Sequence, residues 1–280
     1  MRLAVSNIAW PANADRHAAN LLREQQVSGL EIAPTKVWPR PLNATAAEIS
    51  AYRQEWERRG IQIVALQALL FEKPHFRVFG TPQQRQECLE YLYGVIRLAA
   101  RLGAHVLVFG SPKNRAAGDL PPAVVREIAV TFFRSLGEQA QQNGVVFCIE
   151  PNPIAYGCDF VTTVSAGVEL VREVDHPGFA LHLDAAGMHL NGESLLDSLA
   201  IATTHCRHFH VSEPFLAPVG TGGVPHAELG SALRQAGYDR WLSIEMKCPG
   251  DDWAEAVQRA ISHTCTAYAH VLACHARPLR

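Results

Sequence analysis

No stretch of this sequence reaches the roughly 20 consecutive apolar residues that a bilayer-spanning helix needs, which argues against a membrane span. A secretory leader is not expected either, because the apolar run after Arg2 is cut short by Asn7 and Pro11. The seven cysteines are odd in number and include no C-x-x-C, so reduced thiols are expected rather than a disulfide framework. A basic excess is also missing. With 25 Lys and Arg against 27 Asp and Glu, the net charge of −2 excludes the electrostatic footprint of a nucleic-acid binder. There is neither a G-x-G-x-x-G after the first strand nor a P-loop lysine motif, which counts against an open doubly wound sheet. Without a linker, low-complexity tract or long charge run, one domain over residues 1–280 is expected. The expected protein is soluble and cytoplasmic, with no membrane or nucleic-acid partner.

What the chain does have is a large apolar share, 48% against 19% charged, enough for a substantial core. It also has a punctuation that returns eight times. A helix-like segment ends near a glycine or turn, and a β-rich run follows: LAVSNIAW, SGLEIAP, RGIQIVALQALLF, LGAHVLVFGSP, NGVVFCIEPNP, PGFALHLD, CRHFHVSE and DRWLSIEMK. Between these runs lie amphipathic segments of helical length. Thr45 and Glu48 form a T-x-x-E capping box opening a helix to about Arg59, and Thr81-Pro82 opens another toward Leu102. Pro121-Pro122 opens a third, and Asp251 to His270 a last one, with shorter helices at Ala14–Gln26, Thr162–Val174, Ser194–Thr203 and Ala227–Ala236. Eight strands alternating with eight helices predict an α/β fold, a single (β/α)8 TIM barrel.

Four of the runs end in chemistry. VVFCIEPNP rises from Asn143-Gly144 and ends on Glu150; FALHLD ends on Asp184; CRHFHVSE carries His210; RWLSIEMK carries Glu245. The gaps between them are each about one strand-plus-helix unit, and in a parallel βα array the C-terminal strand ends share one face. Alternation sharpens the convergence, because residues two apart share a side of a strand. Cys148, His182, His208, Cys206 and Ser243 then point inward with the four, while Ile149, Leu183, Phe209 and Ile244 face the helices. Buried carboxylates are costly unless paired or metal-bound, so three acids and a histidine predict one divalent cation: Mn²⁺, Mg²⁺, Co²⁺ or Zn²⁺.

A divalent ion chelated by two adjacent oxygens of a hydroxy-ketone acidifies the intervening C–H and stabilises an enediolate. Glu150 and Glu245, three strands apart, could flank that carbon as base and acid. Returning the proton to the same carbon gives epimerisation, and returning it to the neighbouring carbon gives isomerisation. A dehydratase or lyase acting on a polyol or keto acid starts with the same abstraction and stays open as the alternative. A non-catalytic sugar-binding barrel is the alternative from outside enzymology.

The stretch from Val145 to Lys247, with IEPNP-IAYGCDFVTT, HLDAAGMH, HFHVSE and AGYDRWLSIEM, resembles the xylose isomerase-like barrels of the sugar isomerase and epimerase superfamily. That superfamily includes ketose 3-epimerases, hydroxypyruvate isomerases, inosose dehydratases and the endonuclease IV nucleases. The resemblance implies Glu150, Asp184, His210 and Glu245 as metal ligands, and Glu150 and Glu245 as the acid/base pair. It also implies a carbohydrate-like small-molecule substrate, His189 as a substrate-binding histidine, and self-association through barrel helices into a homo-oligomer. The arginine that often follows the metal histidine in ketose 3-epimerases is absent, since PFLAPVG follows Glu213. Endonuclease IV would need extra histidines at the third and fourth strand ends, which here read LQALLF and VFGSP.

Further candidates lie on the same presumed rim. Glu31, Gln67, Asn152 and Glu213 could bind substrate hydroxyls or simply stabilise loops. Lys113 and Arg115 could hold a phosphate or carboxylate, Trp10 and Trp38 could stack on a sugar or pack the rim, and His226 could start a helix or line the pocket.

Overall fold

A computed structural model describes residues 1–272. The eight strands are β1 (Arg2–Ser6), β2 (Gly29–Ile32), β3 (Gln62–Leu66), β4 (Val106–Phe109), β5 (Val146–Ile149), β6 (Phe179–Asp184), β7 (Cys206–Ser212) and β8 (Trp241–Glu245). All neighbours pair in parallel and β8 returns to β1, so the sheet closes into a barrel with no open edge. Such strands are buried on both sides, which is why they are written as nearly continuous apolar runs.

The helices between them start and stop where the local chemistry dictates. Thr45 and Thr81 each accept the backbone N–H three residues on, while Glu48 and Gln84 reach back, so Ala46–Glu57 and Pro82–Leu102 both open with complete capping boxes. Gly103, at φ +80°, ends the second in the left-handed conformation that relieves the last turn. Of the other long helices, Pro122–Gln142, Val164–Val174 and Trp253–Ala267 fall within the expected segments, and His226–Gln235 starts one residue before the expected Ala227. A short helix unforeseen in the sequence, Ala185–Leu190, starts directly after β6.

Two layers of packing result. A small inner cluster of Ala4, Val64, Ala65, Val106, Val108, Cys148 and Ala180 fills the base of the barrel. Ile149, Leu183, Phe209 and Ile244 join the large cluster beneath the helices, as alternation predicts. Cys206 departs from the expectation, since it packs in that outer cluster and not inward with His208 and His210. The cause is a bulge. Leu181 pairs with Cys206 but His182 pairs with His208, so Arg207 is an extra residue in β7 and inverts the side on which its first residue lies. Among the described cysteines, Cys88, Cys148, Cys158, Cys206 and Cys248 are free thiols. No described helix is long and apolar enough to cross a membrane.

Candidate active site

Asp184 is the last residue of β6 and the cap of the helix that follows. Its Oδ1 accepts the Gly187 N–H at 2.6 Å and its Oδ2 accepts the Ser212 hydroxyl at 2.5 Å. The β6–β7 register sets Asp184 beside His210, and the β7–β8 register sets Ser212 beside Glu245. His210 is thereby held on both sides. Its Nδ1 lies 3.2 Å from Glu245 and 3.9 Å from Asp184, while its Nε2 lies 3.0 and 3.1 Å from the two oxygens of Glu31. Ser243 donates a further bond to Glu31 at 2.6 Å. A carboxylate behind one ring nitrogen fixes the proton there and turns the other toward a cation.

The donor set fits such an ion. Asp184, His210 and Glu245 offer one atom each within 4.8 Å of one another, and Glu150 does the same with His182 and His210. The four residues singled out in the sequence therefore meet as two overlapping triplets hinged on His210. Although Nδ1 of His210 is close to Glu245, it is buried without an aligned hydrogen bond, an orphaned donor position that a divalent cation would satisfy.

Glu150 follows β5, and two features missed in the sequence hold it. Gly110, at the end of β4, leaves the space its carboxylate occupies; a Cβ there would collide with Oε2. Arg115 is fully buried and donates to the carbonyls of Gly110, Phe160 and Glu150 at 2.6, 2.7 and 2.6 Å, which fixes the backbone under the carboxylate. This overturns Arg115 as a phosphate or carboxylate holder, because its donors are spent on main-chain oxygens. Arg115→Met should lower stability by about 3 kcal/mol or more, as three buried carbonyls lose a charged donor. Urea unfolding would measure it, and an unchanged midpoint would remove the latch.

Electrostatically the cluster is short of positive charge. Burial, then Asp184 and Glu245, push the Glu150 carboxyl up to about 8. Burial and Glu245 raise Asp184 to about 6. For His210, burial works downward but Glu31 and Glu245 outweigh it, so the imidazole is held well above its usual value. Glu31 is the counterpart: burial would raise it, yet His210 and His208 keep it well below the carboxylate range. A cation entering this cluster must displace protons, so its affinity should rise as pH increases through about 6 to about 8. Calorimetry in buffers of different ionisation enthalpy should record proton release; metal uptake with no proton released would contradict the electrostatics.

Of the remaining candidates only Glu31 joins the donor cluster, in a third triplet with His208 and His210. Glu31 is fully buried beneath His210, with its oxygens engaged by His210 and Ser243. Gln67 bonds to Ser6 at 2.5 Å, and the Asn152 amide reaches the Glu150 carbonyl at 3.3 Å. Glu213 is a loop clasp: it accepts the N–H groups of Gly220 and Val224 and lies 3.2 Å from His226. His226 is the first residue of its helix, is buried, and also meets the Tyr268 hydroxyl at 3.0 Å. His189 is exposed in a groove of about 760 Å³ that Leu196 and Glu228 also line, and it joins none of the three donor triplets around His210. Lys113 is exposed. Trp10 is buried against Trp56 and Trp253, and Trp38 packs edge-on against Tyr52, so both pack.

Comparison with known proteins agrees with this architecture. The family model described as Xylose isomerase-like TIM barrel matches residues 20–266. The D-psicose 3-epimerase of Ruminiclostridium cellulolyticum is 29% identical over 119 residues, 42% of this chain and 40% of that protein, well under its full length. A Streptomyces coelicolor protein provisionally named hydroxypyruvate isomerase is 29% identical over 74% of this chain and 76% of its own. The crystal structure of D-psicose 3-epimerase with D-tagatose from Clostridium cellulolyticum H10 superposes with a TM-score of 0.80 at 18% identity, covering 98% of this chain and 100% of that one.

Proposed function

The chain belongs to the xylose isomerase-like TIM barrel family, and on that footing we propose that it is a divalent-metal-dependent isomerase or epimerase of a sugar, sugar phosphate or small hydroxy-keto compound. The observation that carries this is the pair of carboxylates, Glu150 after β5 and Glu245 at the end of β8, each sharing a triplet with the same imidazole. Glu150, Asp184, His210 and Glu245 would hold the ion. Bound there, it would draw electron density from two adjacent substrate oxygens and so acidify the C–H between them.

The protein's own groups then move the proton. One glutamate takes it from carbon, leaving an enediolate, and the other returns a proton to the opposite face or, by way of the oxygens, to the neighbouring carbon. Glu150 suits the first step, because burial and its acidic neighbours raise its proton affinity toward neutrality and make it a stronger base than a solvated carboxylate. Glu31 and Ser243 keep His210 in one tautomer throughout. Ser212 and the Gly187 N–H fix Asp184.

The test is isotopic. Metal-loaded protein incubated in D₂O with a panel of ketoses, their phosphates and hydroxy-keto acids should incorporate deuterium at the carbon beside the carbonyl. Formation of an unsaturated or dehydrated product would move the assignment to a lyase. Binding without exchange anywhere in the panel would leave a non-catalytic barrel.

A further inference from the structure

The loops after β5 and β7 stand on either side of the end of β6, so a contact between them passes over Asp184. Tyr156 and Phe215 make that contact. Their rings meet edge to face with centroids 5.5 Å apart, and the Phe215 N–H donates to the Tyr156 hydroxyl at 3.1 Å. The turn that presents Phe215 is strained, since Phe215 and Leu216 have φ of +58° and +61°, a region that costs most side chains energy. It is held by three points: the Tyr156 hydroxyl, the Glu213 carbonyl accepting from Leu216 at 3.0 Å, and the Lys247 N–H donating to the Leu216 carbonyl at 2.9 Å. Lys247 lies two residues past Glu245, so the strained turn is fastened beside the metal cluster. Phe215 is nonetheless 66% exposed and Ile154, on the facing loop, 75%. These are large apolar groups at the mouth that the core does not use. Burial and the charges of Asp184, Glu245 and Glu150 push the Tyr156 phenol up to about 12, so it stays protonated and able to donate.

The geometry points to Tyr156 and Phe215 as a substrate-binding roof. The phenol donates a hydrogen bond to an oxygen of a neutral polyhydroxy substrate, and the Phe215 ring covers the C–H face of its carbon skeleton. This rests on the isomerase or epimerase assignment and specifies what that site accepts. An aromatic hydroxyl and an apolar ring favour an uncharged sugar on this side of the cluster, because neither brings a positive charge to neutralise an anion.

The experiment compares metal-loaded wild type, Tyr156→Phe and Phe215→Ala in deuterium exchange with free ketopentoses and ketohexoses, alongside metal affinity and Tm. Tyr156→Phe should raise KM about tenfold, the loss of one hydrogen bond, while kcat moves less than about threefold. Phe215→Ala should raise KM in the same direction with Tm at the wild-type value, Tm in Tyr156→Phe should fall by no more than the one exposed tether it loses, and metal affinity should stay at the wild-type value in both. An unchanged KM in Tyr156→Phe, or a fall in metal affinity that parallels the rise in KM, overturns the roof. If the wild type exchanges with none of these ketoses, the isomerase assignment fails and the roof with it. Exchange in the wild type matched by both variants sinks the roof alone.

Discussion

Glu150→Gln should cut turnover by about a hundredfold to ten-thousandfold, the range spanned by a positioned acid/base group, while leaving the barrel folded. The amide keeps the shape that Gly110 accommodates and leaves the Arg115 latch on the Glu150 carbonyl in place, but it cannot accept a proton from carbon. The variant also carries a stability signature. In the cation-free protein the Glu150 carboxyl stands near 8 against an ordinary 4.5, so the folded state holds the proton more tightly than the unfolded chain. That preference is fully expressed below about pH 4.5 and is lost as pH rises through about 8. Glutamine removes the penalty of ionisation, so cation-free Glu150→Gln should melt at or above the wild type near pH 8 and lose that advantage near pH 4. Wild-type turnover in the variant would remove Glu150 from the chemistry, whatever its melting curve.

Stripping the protein with EDTA is the second large effect. Exchange activity should fall to background and return with one equivalent of divalent ion per chain. Three carboxylates and one imidazole favour harder ions such as Mn²⁺, Mg²⁺ or Co²⁺, with Zn²⁺ the softer competitor. Asp184→Asn should weaken the ion by removing one ligand charge while keeping the Gly187 cap. Full activity after exhaustive chelation would end the metal-dependent account. Three equivalents per chain would point to a multinuclear site that triplets all sharing the one imidazole of His210 do not foresee.

The fold was legible because each boundary is written by local chemistry. Capping boxes at Thr45 and Thr81 open helices, Gly103 closes one, and short apolar runs with no amphipathic face can only be strands buried on both sides. The convergence of Glu150, Asp184, His210 and Glu245 was legible for the same reason, since three lie at or just past the end of a strand, His210 lies two residues before the end of β7, and parallel closure turns those positions into a shared mouth.

What was not legible depends on contacts far apart in sequence. Glu31 looked like a rim acid, yet its partner His210 is 179 residues away, so only the closed barrel shows it lying beneath the imidazole. A lone acid inside the apolar run GLEI was the available hint. In the sequence Arg115 reads as a loop cation, because nothing in PKNR says that three carbonyls surround it. Tyr156 and Phe215 carry no motif at all, and their meeting depends on two loops converging over β6.

The extra residue in β7 has a practical consequence for anyone aligning or redesigning this chain. Pairing Leu181 with Cys206 and continuing one-for-one would set Phe209 beside Asp184; with Arg207 interposed, His210 takes that place. Excising Arg207 would leave Cys206, His208, Phe209 and His210 in plain one-for-one alternation against Leu181, His182, Leu183 and Asp184, with the imidazole still beside the carboxylate. A homology alignment that runs gap-free through Arg207 from Cys206 would present a phenyl ring where the imidazole stands, and so erase the signature of the site while leaving an ordinary-looking strand.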